Sequence, residues 1–210
     1  KSWAKLGVRF VDPDTTWVGV DVELGEDVVI HPGVILQGRT KIGSQTEVGP
    51  YSVLSDMIVA EKVVIKTGTV GESSRIESGA HVGPYARLRP DSVVGQDAKI
   101  GNFVELKKTT IGSKTSVAHL SYLGDAEVGK NVNIGCGFIT CNFDGRVIDG
   151  ERKHKTVIED GVFMGSDCQT VAPVKIGKGS YVASGSTITE DVESESLAIA
   201  RSRQVNKIGY

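Results

Sequence analysis

The sequence is poor in the residues that stabilise small or extracellular folds. Of its 210 residues, only three are cysteines and six are prolines, and aromatic residues make up 6%. The cysteines, Cys136, Cys141 and Cys168, form no CxxC pair, so a disulfide scaffold and a zinc ribbon are both excluded. Such sparse cysteines suit a reducing compartment, and we expect a cytoplasmic protein.

Long apolar runs and a charge excess of one sign are also missing. No segment approaches the roughly 20 apolar residues of a membrane helix, so no membrane partner is expected. The formal net charge of −2 argues against a nucleic-acid partner held by bulk electrostatics. Glycine, in contrast, is abundant at 26 residues, which indicates many tight, regular turns.

An apolar residue, often followed by glycine, recurs every six residues from Val18 to Ile188. This period fits neither an α-helix nor one long strand. It predicts short strands and turns that form the flat sides of a coil, with three sides per coil and roughly nine coils. A four-residue step after Leu54 places the next inward-facing residues at Ile58, Val64 and Val70.

Breaks in the repeat define the predicted domain organisation. Residues 1–17 are expected to be a linker, 18–192 the β-helix, and 193–210 a C-terminal tail. Within the β-helix, residues 142–155 carry many charges and no hexad, so they are predicted to be an inserted loop. Repeat proteins often use such insertions for function, although a tolerated surface loop is the plain alternative.

Several segments of the chain resemble one protein family closely. They are VGPYARLRP (82–90), GNFVELKK (101–108), AHLSYLGD (118–125), NVNIG (131–135), KHKT (153–156) and GSDCQTVAPV (165–174). They are similar to the acetyltransferase half of the bacterial bifunctional N-acetylglucosamine-1-phosphate uridyltransferase/glucosamine-1-phosphate acetyltransferases. The resemblance implies an all-β, left-handed parallel β-helix. It also implies transfer of acetyl from acetyl-CoA to glucosamine 1-phosphate, in a homotrimer with active sites between subunits.

Acetyl transfer to an amine needs a base, because an ammonium group has no lone pair. A neutral imidazole suits that role, and the resemblance implies that His119 is the base. A structural histidine at a turn is the alternative. Glu105 is a candidate for orienting the imidazole, or else a surface charge. His154, between two lysines of the loop, is expected to be dispensable.

A sugar phosphate requires cations and hydrogen-bonding groups. By resemblance, the substrate-binding residues are Arg89, Lys107, Tyr122, Asn133 and Lys153. Lys153 lies in the inserted loop, from which it is expected to reach across to a neighbouring subunit.

The resemblance also implies a set of positions for acetyl-CoA, which are Cys136, Asn142, Phe143, Ser166, Ser184 and Arg201. Three of them depart from the family pattern: Phe143 replaces a usual tyrosine, and Cys136 and Ser184 replace alanines. Cys136 and Cys141 are interpreted as small core or turn residues. No metal is expected, because the cysteines and histidines lack the spacing of zinc ligands.

Other functions share this fold. A related β-helix acyltransferase would act on serine, a xenobiotic or a lipid A precursor. A γ-type carbonic anhydrase would need three zinc-binding histidines, and the four present lie in the wrong contexts. A non-catalytic scaffold is the remaining alternative. The chain has no Gly-rich nucleotide-binding motif, so the uridyltransferase half of the family is absent from it. It begins without methionine, as expected of a fragment or of a processed form, for instance one cut from a bifunctional parent.

Overall fold

The computed structural model describes residues 3–145, 147 and 150–209. They form a left-handed parallel β-helix of about 10 turns. Every strand pairs in parallel with the strand one turn away, as Val29–Ile30 does with Glu47–Val48. The fold class predicted from the hexads is therefore confirmed. The two helical segments, Trp3–Leu6 and Pro13–Thr15, are single 3₁₀ turns, and no helix in the described part of the chain is long and apolar enough to cross a bilayer.

The strands are short and divide among three faces of the coil. Face 1 contains Arg9–Phe10, Val29–Ile30, Glu47–Val48, Val64–Ile65, His81–Val82, Asn133–Ile134, Phe163–Met164, Tyr181–Val182 and Leu197–Ala198. Face 2 contains Trp17–Val18, Ile35–Gln37, Val53–Ser55, Val70–Glu72, Arg87–Leu88, Ile139–Cys141, Gln169–Val171 and Thr187–Ile188. Face 3 contains Glu23–Leu24, Lys41–Ile42, Ile58–Val59, Arg75–Ile76, Val93–Val94, Thr110–Ile111, Ala126–Val128, Thr156–Ile158 and Val174–Ile176.

Two longer strands, Lys99–Lys107 and Ser116–Gly124, run through the corner between faces 1 and 2. They pair along most of their length, with Asn102 opposite His119 and Glu105 opposite Tyr122. Because pairing continues through the corner, these two turns hold their outward side chains in a fixed register. The candidate active site is built on this pair.

The core is one column of apolar side chains inside the coil. Ile30, Val48, Ile65 and Val82 stack on face 1 and are each 0% exposed. Fully burying one such side chain stabilises the fold by about 1.5–3 kcal/mol. A single turn cannot enclose its own residues, so this burial depends on the turn above and below.

The predicted register is wrong between Leu54 and Ile76. Val59, Ile65 and Gly71 face inward, whereas Ile58 and Val70 are exposed and Val64 is half-buried. Met57 is fully buried and fills the space beside Gly71, where an added Cβ would lie 3.0 Å from the Met57 Sδ and Cε atoms. Residue 71 is a glycine at an inward position because the Met57 side chain already fills the space that a larger side chain would need.

The coil also extends beyond both predicted ends of the domain. Arg9–Phe10, within the predicted linker, pairs with Val29–Ile30, and Leu197–Ala198, within the predicted tail, pairs with Tyr181–Val182. These terminal turns have a neighbour on one side only, so their inward residues Phe10 and Ala198 stay half-buried. The hexad signal is correspondingly weak there, and the coil has about 10 turns rather than nine.

Candidate active site

His119 projects from the corner between faces 1 and 2. Its Nδ1 lies 2.9 Å from Oδ1 of Asn102 on the preceding turn. An amide oxygen only accepts hydrogen bonds, so Nδ1 carries the proton and donates. The tautomer therefore leaves a lone pair on Nε2 of this exposed side chain, as a general base requires.

The expected contact between Glu105 and His119 is replaced by another one. Arg89 Nη1 donates to Glu105 Oε1 over 2.9 Å, and both side chains are about one-third exposed. Glu105 lies on the face 2 part of its strand, and its outward side chain meets Arg89. Asn102 lies within the corner instead, where it meets the imidazole. The structure thus assigns Glu105 to holding Arg89.

Four of the residues expected to bind acetyl-CoA line the same corner on later turns. The Asp167 N–H donates to the carbonyl of Cys136, and the Gly185 N–H to that of Ser166. Cys136, Ser166 and Ser184 therefore follow His119 one turn at a time, over about 14 Å at ~4.8 Å per turn. Arg201 continues the line, with its Cδ 3.9 Å from the Cβ position of Gly185. We call this row, His119 to Arg201, the corner column.

Three cations meet near the end of face 2. The close approach of the Lys153 ammonium is the largest cause that lowers the pKa of Lys107, followed by desolvation and by the charges of Lys153 and Arg89. Asp125 acts in the opposite direction and raises the pKa of Lys107. Arg89, Lys107 and Lys153 form a cation cluster that matches the needs of a phosphate group. Lys153 approaches Lys107 of its own chain, and it lines a pocket with Lys108 and Asp125 at the corner between faces 2 and 3.

Tyr122 and Asn142 lie beside this cation cluster. A Cβ built on Gly124 would be 2.8 Å from Asn142 Nδ2, and it would also collide with the Tyr122 hydroxyl. Only glycine leaves room for these two polar groups to converge here. Asn142 is buried and donates through Nδ2 to Oδ2 of Asp125. The structure therefore groups Asn142 with the expected sugar-phosphate residues rather than with the corner column.

Two expected site residues lie apart from these groups in a single chain. Asn133 is on face 1, between Ser116 and Phe163 of the adjacent turns. Phe143 is 60% exposed at the start of the inserted loop. The residues expected to form the active site are therefore distributed over two faces of the single chain.

The inserted loop is anchored more firmly than its charge suggests. The His154 side chain is buried, at 6% exposure for the residue. Its backbone N–H donates to the Asn142 carbonyl, and its imidazole Nε2 lies 3.8 Å from Asp144 Oδ1. This burial gives His154 a structural role, and its dispensability for turnover stays a prediction. Arg146, Ile148 and Asp149 of the loop lie outside the described residues.

A cleft of about 470 Å³ opens on the face 1 side of His119. Asn102 and His119 form one end, and Lys66, His81 and Lys99 line its wall.

Cys136 and Cys141 are exposed, which contradicts a core role for either, whereas Cys168 is buried. Within the described residues, no group of histidine, cysteine and carboxylate side chains is arranged to hold a metal ion.

Sequence reasoning missed two residues of the site, Asn102 and Asp125. Both lie in segments already singled out, GNFVELKK and AHLSYLGD. Counting back one turn of the repeat from His119 leads to Asn102, and the same step back from Asn142 leads to Asp125. Both residues are found by looking one turn back along the coil, and a motif of consecutive residues does not show these contacts.

Comparisons with known proteins agree with this architecture. Residues 21–56 match the family described as bacterial transferase hexapeptide (six repeats). The chain is 50% identical over 210 residues to the bifunctional protein GlmU of Thermodesulfovibrio yellowstonii, covering 100% of this chain and 45% of that protein. It is also 50% identical over 204 residues to GlmU of Trichlorobacter lovleyi, covering 97% of this chain and 43% of that protein. The chain thus spans less than half the length of these relatives.

A solved structure supports the fold. LpxA from Acinetobacter baumannii superposes with a TM-score of 0.60 at 17% identity, covering 92% of this chain and 71% of that one. The fold and the repeat place the chain in the class of hexapeptide-repeat β-helix proteins. Within that class it belongs with the GlmU proteins, and it corresponds to their C-terminal part.

Proposed function

We propose that this chain transfers the acetyl group of acetyl-CoA to the amine of glucosamine 1-phosphate, giving N-acetylglucosamine 1-phosphate. The observation that carries the proposal is the placement of His119 relative to the cation cluster. His119 and Tyr122 lie three residues apart on one strand, at most about 10 Å along it, and the cation cluster lies beside Tyr122. A sugar phosphate bound across face 2 would have its phosphate at the cluster and its amine near His119.

The chemistry follows from the free Nε2 of His119. The amine attacks in its neutral form: its nitrogen adds to the thioester carbonyl, and His119 takes the proton that this nitrogen loses as the C–N bond forms. The tetrahedral adduct then collapses with cleavage of the C–S bond, and the imidazolium returns the proton to the departing thiolate, which leaves as the thiol. The corner column would bind the pantetheine arm, and Ser166 would contribute a hydroxyl toward the thioester.

The proposal needs no metal, because an amine nucleophile requires deprotonation rather than a metal-bound hydroxide. The expected result is full acetyl transfer after exhaustive chelation. A loss of activity that Zn²⁺ restores would instead favour a metal-dependent enzyme, such as the γ-type carbonic anhydrase considered above.

We further propose that the active form is a cytoplasmic homotrimer with sites between subunits. In a single chain Asn133 lies on face 1, apart from the cation cluster and Asn142 at the far end of face 2. A second chain packed against the corner would bring its Asn133 to the ligand that His119 and the cation cluster hold. Four large apolar side chains at this corner are each more than half exposed: Tyr51, Tyr85, Phe103 and Leu120. Light scattering at micromolar concentration tests whether the protein is a trimer.

A coupled assay of thiol release with a panel of acceptors tests the function. The expected result is turnover with glucosamine 1-phosphate, and far less with glucosamine, serine, a xenobiotic amine or a lipid A precursor. Equal turnover of glucosamine with and without its phosphate would remove the role of the cation cluster. A folded trimer with no turnover on any acceptor would indicate the non-catalytic scaffold.

A further inference from the structure

Asp125 is a buried carboxylate that neither the corner column nor the cation cluster includes. It is 9% exposed as a residue, and its backbone N–H donates to the Lys107 carbonyl over 3.0 Å. Its backbone carbonyl accepts from Thr156, directly after the inserted loop. Asp125 therefore joins face 2 to the far end of that loop.

The carboxylate of Asp125 makes two contacts with distinct consequences. Oδ2 accepts from Asn142 Nδ2, and Oδ1 lies 3.9 Å from Lys108 Nζ. A carboxylate has no proton to donate, so it dictates which end of the Asn142 amide faces it. The amide oxygen of Asn142 is then the atom left for a ligand, as an acceptor for an N–H group.

The second consequence concerns charge at the phosphate end. Asp125 opposes the effect of Lys153 and Arg89 and raises the pKa of Lys107. A buried carboxylate next to three clustered cations offsets part of their mutual repulsion. Asp125 therefore acts on two neighbouring groups at the far end of face 2, the Asn142 amide and the Lys107 ammonium.

We propose that Asp125 is a positioning residue that fixes the Asn142 amide with its oxygen toward the ligand and holds the cation cluster together. The proposal deepens the acetyltransferase function and rests on it. In this role Asp125 is not required to contact either substrate. Its role is expressed through Asn142 and Lys107.

Two variants separate the two effects. Asp125→Asn keeps an oxygen that accepts from Asn142 and removes only the charge, whereas Asp125→Ala removes both. We expect Asp125→Ala to raise the KM for glucosamine 1-phosphate roughly ten- to a hundredfold, with a smaller change in kcat. Asp125→Asn should recover most of that loss at neutral pH. Asp91→Asn is the matched control, because Asp91 is an exposed aspartate with positive φ at the same corner.

A second readout is independent of turnover. The pH dependence of Lys107 acylation by an amine-reactive ester, followed by peptide mass spectrometry, reports when this lysine loses its proton. In Asp125→Asn the onset of acylation should move to lower pH, and in Asp91→Asn it should stay in place. Kinetics and Lys107 acylation unchanged in both Asp125 variants would overturn the positioning role. Absence of turnover in the unmodified protein would overturn the proposed function instead, while Lys107 acylation would still decide the role of Asp125.

Discussion

Asn102 Oδ1 accepts the Nδ1 proton of His119 over 2.9 Å, across two adjacent turns of the coil. The bond selects the tautomer of an exposed imidazole and restrains its ring. A neutral amide does this without adding a charge that would favour the imidazolium form. Asn102 is therefore suited to orienting a base that must remain neutral until it takes the substrate proton.

Substitution of Asn102 tests this orientation. Asn102→Ala removes a hydrogen bond worth about 0.5–1.5 kcal/mol, so kcat should fall roughly two- to tenfold while both KM values change little. Asn102→Asp keeps the bond but adds a carboxylate that favours the imidazolium. The acid-side fall of kcat should then move to higher pH in a full pH–rate profile. Gln96→Ala, at an exposed corner, is the control, and an Asn102→Asp profile that matches the unmodified protein would contradict the assignment.

His119 should be the residue on which turnover depends most. A positioned base contributes about 10²–10⁴-fold in rate, so His119→Ala should lose most of its kcat. The variant should still fold and bind both ligands, because His119 is an exposed side chain outside the core. Steady-state kinetics with calorimetric binding of CoA measures both effects. Turnover within a few-fold of the unmodified protein would eliminate the general-base mechanism.

The repeat predicts the fold well because each inward residue of a coil is constrained by its counterpart one turn away. It predicts the register poorly where apolar residues are adjacent. In Ile58–Val59 and Val64–Ile65 either residue satisfies a hexad, and the register is set by the pairing of Val59 with Ile42 and of Ile65 with Val48 on the preceding turn. The contact of Glu105 is missed for a related reason. Sequence motifs do not show that the corner brings Asn102, rather than the nearby carboxylate, against His119.

The Met57–Gly71 pair gives a stability prediction. Met57→Ala should cost about 2–5 kcal/mol of unfolding free energy, as for other buried large-to-small changes. Gly71→Ala places a methyl group 3.0 Å from Met57 and 3.2 Å from Leu54 Cδ2, so overpacking should cost about 1–3 kcal/mol. The double variant should cost less than the sum, because the new methyl group enters the vacated space. Denaturant unfolding measures the four proteins, and strict additivity would show that the two sites do not share this volume.

His154 should affect substrate binding more than its loop position suggests. His154→Ala leaves a cavity beneath the inserted loop, and the adjacent Lys153 loses its support next to Lys107. We expect a higher KM for glucosamine 1-phosphate with kcat largely preserved. His154→Phe fills the same space and should restore most of the affinity. Equal KM values in His154→Ala and the unmodified protein would show that the loop does not need this anchor.

The cation cluster predicts the pH dependence of sugar-phosphate affinity. Lys153 is the main cause that lowers the pKa of Lys107, so Lys107 loses its charge at a lower pH than an isolated lysine. Phosphate binding requires that charge, and affinity should therefore fall as the pH rises through the lowered pKa. In Lys153→Ala the pKa of Lys107 should return toward its ordinary value, which moves the alkaline loss of affinity to higher pH.

At neutral pH the same variant should bind more weakly, by roughly ten- to a hundredfold, because one charge-assisted contact is gone. The two effects have opposite signs, so a general loss of folding cannot imitate them. Lys155→Ala is the matched control, since Lys155 lies two residues away and pairs with Glu127 on face 3. The measurement is the KM for glucosamine 1-phosphate across the alkaline range. If Lys153→Ala shifted the alkaline limb to lower pH, or left it in place, Lys153 would not be the group that discharges Lys107.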